Sequence, residues 1–499
     1  MEKRTFVNKF EGLFVFPAYC LGIIGLTGLA GDTASSLFQC YWALSVVAAF
    51  VTKVAKIDIS CRFDFILYNI INWVLVIITK LLLPEWSFIK LLITIVSALI
   101  LYKLVSTSFY FAPNPTGPYG AGFRDIVIKG ETTPSVTIFY PIDIQEYQQN
   151  VENPNKTPKY VLDGEDELEG VPKLIPILRQ LFDGNIVESI SDNPIIRLAL
   201  RDDALYQMRA IKSGTLHKDF QLGHKKQTPV IFSHGLCGRR ADHHAAGVLL
   251  ASYGCIVYIP NHTDGSATVY KDHNVTPPRT VHVNMYDPVT NTDSNGVKYE
   301  QDEFRRKLLN HRIKDIGVIL DYIKNESIKE FKHIDLDKLA AMGQSMGGMT
   351  AIEMAKVFHN DFKICAVNDA YIRARYKDML ANEDYYISQP LLMINSEKFD
   401  YSRFVAEYDQ KTIREKFFNT CMKKNGGIGY NIRIKDSGHS SSIDGTLFKP
   451  YFGELINSCG KAENVGERCQ EIYHTFIAFL HKNSFLPVEF SMEKCSHIS

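Results

Sequence analysis

The chain has 499 residues, and its 55 basic and 55 acidic side chains leave a formal net charge of zero at pH 7. This balance argues against a cationic surface for nucleic acid, and the length predicts two or three structural units. Ten cysteines are scattered without CxxC pairs or zinc-ligand spacing, which argues against a metal module or a dense disulfide framework and favours a reduced compartment.

Four apolar runs occupy the first hundred residues, at 13–30, 37–54, 65–83 and 88–104. Each run is long enough for a helix to cross a bilayer, which takes about 17 to 25 residues. Several lysines lie near the ends of the runs, where long side chains can reach the headgroups. We therefore expect residues 1–106 to form a helical transmembrane domain of about four spans, retained as an anchor rather than cleaved as a signal peptide.

The charges around these runs predict an orientation. Basic residues precede the first run and fill the connection after the second, whereas the first connection offers only Asp32. By the positive-inside rule, both termini and everything after residue 104 face the cytosolic or matrix side. The sequence thus predicts an integral membrane protein with the lipid bilayer as a partner. Sequons such as Asn274-Val275-Thr276 leave a lumenal placement open.

From residue 106 onward, short strand-like runs alternate with helical ones. Strands are predicted at residues 136–140, 230–233, 256–259, 339–342, 364–367, 391–394 and 430–434. The alternation predicts a mostly parallel sheet flanked by helices over residues 107–488, followed by a C-terminal tail at 489–499. Residues 264–302 are expected to leave the sheet. The apolar segment 171–182 is either a packed helix or a flap that touches lipid.

Residues 343–347 read Gly-Gln-Ser-Met-Gly and stand between a strand-like run and a helical one. A serine nucleophile on a sharp strand-to-helix turn needs small residues on both sides, because its strained backbone leaves no room for neighbouring β-carbons. The five-residue pattern alone is common by chance. Its position between a strand and a helix predicts that Ser345 is a nucleophile.

A serine hydroxyl needs a neighbouring imidazole that accepts its proton, and a carboxylate that orients the imidazole. His439 follows a strand-like run and a Ser-Gly turn late in the chain, where such a histidine is expected. Spacing leaves the carboxylate open. Asp369 follows one predicted strand, whereas Glu397 and Asp400 follow the next one.

An oxyanion hole needs two main-chain N–H groups, one from the residue after the nucleophile and one from a loop after an earlier strand. The loop at residues 234–238 follows the strand 230–233, so the expected donors are the amides of Leu236 and Met346. A metal site at His234 with residues 242–244 is disfavoured, because no HExxH or comparable ligand spacing occurs. We expect neither a metal nor another cofactor.

Several motifs together resemble a known family in their order and spacing: Phe232-Ser-His-Gly-Leu236, Gly343-Gln-Ser-Met-Gly-Gly348, Asn368-Asp-Ala-Tyr371, Gln389-Pro-Leu-Leu-Met-Ile-Asn-Ser-Glu397 and Gly438-His439. Over roughly residues 113–485 the chain is similar to the plasma and type II intracellular platelet-activating factor acetylhydrolases. The resemblance implies an α/β-hydrolase fold and a triad of Ser345, Asp369 and His439. Residues 163–226 and 264–302 diverge from that family, and its familiar members have no four-span domain.

The resemblance also implies a reaction. Family members hydrolyse, without calcium, the sn-2 ester of phospholipids that carry short or oxidised acyl chains, and an acyl-serine intermediate follows from the nucleophile. Two alternatives stay open. The added apolar segments also fit a structural subunit of a membrane complex that retains a hydrolase fold, with unknown partners. The same chemistry would also serve a thioester, an acylglycerol or a small carboxyl ester.

Overall fold

The computed structural model describes residues 3–4, 17–21, 32–54, 70, 74, 109–110, 113–153, 155–157, 208–284, 286–287, 291–293, 295–381, 384–399, 409–448, 450–455, 457–495 and 497–498. The chain divides into two compact units. One comprises Met1–Glu2, Ala112–Asp192 and Gln207–Ser499, and the other comprises Lys3–Phe111 and Asn193–Tyr206. The predicted domain boundaries at residues 106 and 488 stay predictions.

The N-terminal unit contains a long helix, α1 (Asp32–Val54), and a short antiparallel pairing of Lys3–Arg4 with Phe109–Tyr110. One side of α1 carries the buried Trp42, whose ring centroid lies 5.4 Å from that of Tyr19. Leucines and valines on other sides of α1 are exposed. The helix covers the second predicted span.

The prediction of an integral membrane protein with a cytosolic or matrix-facing catalytic domain is contradicted by this helix. Within the part of the chain that the structure describes, no helix is both long and apolar enough to cross a bilayer. In α1, the polar residues Gln39, Ser45 and Lys53 fall within the predicted apolar run. The other three predicted spans lie outside the described residues, apart from 17–21, 70 and 74.

The larger unit is built on a nine-stranded sheet. Its strands, in chain order, are β1 (Gly120–Val127), β2 (Ser135–Ile142), β3 (Ile211–Lys212), β4 (Thr228–Ser233), β5 (Cys255–Asn261), β6 (Ala340–Gln344), β7 (Ile364–Asn368), β8 (Leu391–Ser396) and β9 (Gly429–Ile434). Their order across the sheet is β9-β8-β7-β6-β4-β5-β2-β1-β3. Strands β4 to β9 run parallel, whereas β2 is antiparallel to both of its neighbours.

All seven predicted strands are therefore present, and the mostly parallel sheet is confirmed. Strand β1 escaped prediction because it begins Gly-Ala-Gly, which is poor in the β-branched and aromatic residues that mark strands. Inside β6 the side chains alternate between the two faces, and all five residues are buried. Burial on both faces is what a parallel sheet covered by helices requires.

Helices cover both faces of the sheet. They are α2 (Ile144–Asn150), α3 (Lys218–Gln221), α4 (His244–Ala251), α5 (Gln301–Tyr322), α6 (Ile328–Phe331), α7 (Met346–Val357), α8 (Tyr376–Ala381), α9 (Gln410–Lys424), α10 (Asp444–Phe448), α11 (Pro450–Leu455) and α12 (Val465–Lys482). Helices α5, α7 and α9 pack on one face, where Ile316, Ile352 and Phe417 join a single apolar core with strand residues. Helix α12 lies on the other face, where Phe476 packs against Phe232 of β4.

Of the two predicted segments 264–302 and 171–182, the structure describes only parts of the first. The described residues within 264–302 lie outside the nine-stranded sheet, as predicted, and include an antiparallel ribbon that pairs Val269–Asp272 with Arg279–His282. The candidate flap at residues 171–182 lies outside the described residues, so it stays a prediction. The nine cysteines that the structure describes are free thiols.

Candidate active site

Ser345 lies on the sharp turn between β6 and α7. Its backbone has φ +57° and ψ −122°, a conformation that residues other than glycine rarely adopt. Long-range hydrogen bonds hold this conformation, since the Ser345 N–H donates to Asn368 O at 3.0 Å and Ser345 O accepts from the Tyr371 N–H at 2.9 Å. The turn therefore presents the hydroxyl beyond the carboxyl ends of the central parallel strands.

The glycines on either side of Ser345 are required by close packing of main chain. A β-carbon on Gly343 would lie 2.2 Å from Gly347 O. One on Gly347 would lie 1.9 Å from Ser233 O at the end of β4. Neither neighbour is the movable end of a side chain, so the turn has no space for alanine at either position.

The Gly347→Ala variant is expected to lower the free energy of unfolding by about 3 kcal/mol, because overpacking against main chain forces β4 and α7 apart. The matched control is Gly317→Ala in α5, where the new β-carbon would find Phe358 Cζ at 3.6 Å, an ordinary contact. That control should gain up to about 1 kcal/mol from helix propensity. Urea unfolding measures both, and equal stabilities would contradict the packing argument.

His439 lies on the loop after β9, within reach of the serine. Its Nε2 is 2.8 Å from Ser345 Oγ. The Phe399 ring stacks on the imidazole with centroids 4.2 Å apart and planes at 10°, and Gln344 Nε2 donates to His439 O at 2.9 Å. These contacts fix the ring plane, so that Nε2 points at the hydroxyl that must lose its proton.

Asp369 occupies the opposite side of the imidazole. It follows β7 with φ +46°, is fully buried, and places Oδ2 3.3 Å from His439 Nδ1. Ser396, at the end of β8, donates its N–H to Asp369 Oδ1 at 2.7 Å and its hydroxyl to Oδ2 at 2.6 Å. The carboxylate therefore has donors on both oxygens and can hold one imidazole tautomer.

The alternative carboxylates do not take this place. Glu397 Oε2 accepts the Asp436 N–H at 2.7 Å, in the turn before His439. Asp400 lies outside the described residues. The structure thus brings Asp369, and not Glu397, to His439. The catalytic roles of Ser345, His439 and Asp369 stay predictions at this point.

The two expected oxyanion donors come from different elements. Leu236 belongs to the loop after β4, and Met346 is the first residue of α7, where main-chain N–H groups have no partner within the helix. Among the residues described, neither amide has a recorded acceptor. Both are therefore available to a developing negative charge on a bound ester.

A buried arginine that the sequence analysis missed shapes the loop of Leu236. Arg312 of α5 donates to His234 O at 2.6 Å and to Gly235 O at 3.2 Å. Its charge is balanced by Asp264, whose Oδ2 lies 3.1 Å from Nε. Because Arg312 donates hydrogen bonds to two successive carbonyl groups, it fixes the orientation of the loop that carries Leu236. No local motif marks such a residue, since its partners lie 38 to 79 positions away.

A second buried chain of hydrogen bonds supports the same loop. His262 joins Ser233 Oγ, at 2.8 Å from Nε2, to Asp315 Oδ2, at 3.2 Å from Nδ1. Burial, reinforced by the positive charge of Arg312, lowers the pKa of His262. All three side chains are inaccessible to solvent, so this Ser-His-Asp arrangement cannot meet a substrate and instead braces the end of β4.

The residues considered as metal ligands contact other groups of the protein. His234 Nδ1 lies 2.7 Å from Gly235 O, and Asp242 pairs with Arg239. Burial lowers the pKa of His243 to about 3, and its Nδ1 lies 3.4 Å from the Tyr473 hydroxyl. Within the described part of the chain, no group of three or more potential ligands is placed to hold a metal ion.

Comparison with known proteins identifies a matching family and several relatives of this chain. The family described as platelet-activating factor acetylhydrolase, isoform II, matches residues 210–497. The platelet-activating factor acetylhydrolase of Bos taurus is 26% identical over 361 residues, covering 65% of this chain and 71% of its own length. That of Cavia porcellus is 25% identical over 387 residues, covering 72% and 76% respectively.

Among solved structures, a ferulic acid esterase from Streptomyces cinnamoneus aligns with the chain. The TM-score is 0.46 and the sequences are 13% identical, with 75% of this chain and 92% of the esterase covered.

Proposed function

The chain belongs to the platelet-activating factor acetylhydrolase isoform II family, and from this premise we propose that it is a serine esterase of phospholipids. The proposed reaction is calcium-independent hydrolysis of the sn-2 ester of a phospholipid with a short or oxidised acyl chain. The observation that carries the proposal is the continuous contact from Ser345 Oγ through His439 to Asp369. These groups suit acyl transfer and need no metal.

In the proposed mechanism, Ser345 Oγ attacks the ester carbonyl carbon while His439 Nε2 takes the hydroxyl proton. Asp369 stabilises the imidazolium that forms, and the amides of Leu236 and Met346 donate to the negative oxygen of the tetrahedral intermediate. Collapse expels the lyso-phospholipid, which receives the proton from His439. A water molecule, deprotonated by the same imidazole, then hydrolyses the acyl-serine.

The experiment that tests the substrate class uses phosphatidylcholines that differ only in the sn-2 chain. We expect kcat/KM for the acetyl compound to exceed that for the palmitoyl compound at least about tenfold, a difference of roughly 1.4 kcal/mol in activation free energy. Excess EDTA should leave the rate unchanged. Equal rates on both chains would contradict short-chain specificity, and turnover confined to thioesters or acylglycerols would favour those substrates.

The structural-subunit hypothesis makes the opposite prediction for the native protein. It expects stable co-purification with a large assembly and no labelling of Ser345 by a fluorophosphonate probe. The buried hydrogen bonds that hold Asp369 and the strained turn at Ser345 argue against it, because a scaffold has no need of either.

A further inference from the structure

The first turns of α5 lie over the proposed oxyanion hole. Phe304 and Leu308 of this helix form an apolar cluster with Met346, and Leu236 packs against the same cluster. The side chains of both proposed donor residues therefore contact this part of α5. Arg305 lies between these two helix residues and is 3% exposed.

Arg305 is a buried cation for which the described residues supply no acceptor. Its Nε and Nη1 have no hydrogen-bond partner, and no carboxylate within the described ranges forms an ion pair with it. Its recorded neighbour is the Phe304 ring, whose centroid is 5.5 Å from Arg305 Cζ. Burial of a guanidinium without an acceptor is unfavourable, and one ring contact does not offset it.

The arginine two turns further along α5 shows the contrast. Arg312 is also buried, but Asp264, Ser266 and the carbonyls of the oxyanion loop accept from its nitrogens. Residues seven apart share a helix face, so the two guanidinium groups extend from the same side of α5. Arg312 holds the loop, whereas Arg305 is left for an anion that the described residues do not provide.

The positive charge of Arg305 affects the Cys237 thiol in the oxyanion loop. Burial raises the pKa of the Cys237 thiol, next to Leu236, to about 12, while the positive charges of Arg305 and Arg312 act in the opposite direction. An anion bound at Arg305 would therefore lie close to the bound ester. In a glycerophospholipid only a few bonds separate the sn-2 ester from the phosphodiester.

We propose that Arg305 binds the phosphodiester of the glycerophospholipid substrate, an inference that rests on the proposed function. The planar guanidinium can donate two parallel hydrogen bonds to phosphate oxygens, and the buried position strengthens both. The unpaired charge destabilises the free protein. A bound anion removes this destabilisation, which makes binding more favourable. Arg305 thus selects phospholipids over uncharged esters.

The kinetic test compares a charged and an uncharged substrate in Arg305→Met. We expect KM for 1-palmitoyl-2-acetylphosphatidylcholine to rise at least about tenfold more than KM for p-nitrophenyl acetate, since a hydrogen bond to a charged group contributes about 1.5 to 3 kcal/mol. Arg305→Lys should recover part of the loss. The matched control is Arg306→Met, the next residue, which is half-buried, lines a surface pocket on α5 with Glu303 and Lys307, and should keep the wild-type ratio.

The stability test distinguishes a ligand-binding arginine from a structural one. Removal of a buried, unpaired charge should raise the melting temperature of Arg305→Met above that of the wild type, whereas loss of a structural contact would lower it. Glycerophosphocholine should raise the melting temperature of the wild type and not of the variant. Stabilisation by inorganic phosphate alone would point to a free anion site and overturn the assignment to the lipid.

The outcomes separate the two proposals. If the wild type hydrolyses p-nitrophenyl acetate but no phosphatidylcholine, both the proposed substrate and the role of Arg305 are overturned. If it hydrolyses phosphatidylcholine and Arg305→Met loses both activities in parallel, or loses neither, the proposed function stands and the assignment of Arg305 is wrong.

Discussion

The Ser345→Ala variant is expected to lose ester hydrolysis by a factor of about 10⁴ or more, because no other group can form the acyl intermediate. Fluorophosphonate labelling should disappear with it, since the probe phosphonylates the same oxygen. Alanine keeps the β-carbon and removes only Oγ, which lies 2.8 Å from His439 Nε2, so the fold should persist. Steady-state hydrolysis of p-nitrophenyl acetate, probe labelling and circular dichroism measure the three effects.

The control for this variant is Ser440→Ala. Ser440 is the neighbour of His439, but its hydroxyl lies 2.8 Å from Ser458 Oγ and 2.9 Å from Ser458 O, away from the proposed nucleophile. It should label like the wild type. Persistent labelling of Ser345→Ala would refute the assignment of the nucleophile and, with it, the proposed mechanism.

The second large effect is expected for Asp369→Asn, with kcat lowered about 10³- to 10⁴-fold and KM changed little. The amide has nearly the same shape, so the contacts with Ser396 can be kept in part. It cannot stabilise an imidazolium, and its NH₂ group favours the tautomer that carries the proton on Nε2. That tautomer is unable to accept the proton of Ser345.

Glu397→Gln is the matched control, because Glu397 follows the next strand and was the competing assignment in that part of the chain. Its recorded contact is with the Asp436 N–H, so we expect an effect within about threefold, as for a neutral change outside the reacting groups. Asp400→Asn completes the series. A larger loss in either variant than in Asp369→Asn would show that the wrong carboxylate was chosen.

The carboxylate of the proposed triad could not be predicted from residue patterns alone. Strand positions alone left Asp369, Glu397 and Asp400 open, since each follows a strand after the nucleophile helix. In the sheet, β8 lies beside β7, so Ser396 at the end of β8 reaches back to both oxygens of Asp369. That contact depends on strand neighbours, which sequence spacing does not specify.

The error over the membrane has a different origin. Hydropathy was judged run by run, and each run was long enough to span a bilayer. In α1 the polar residues fall among the apolar ones, while Trp42 is buried against Tyr19. A helix that packs one apolar side against protein needs similar residues, and run length alone does not separate the two cases.

By itself, the amino-acid sequence determined the seven predicted strands and the turn that carries Ser345. Each of these depends on side-chain periodicity or turn chemistry within a few residues. The tertiary structure alone decided how Ser396 holds Asp369 beside His439, how Arg312 holds the oxyanion loop and why Arg305 has no acceptor among the described residues. These features join groups up to 78 positions apart in the chain, and only the packing of strands and helices brings such groups together.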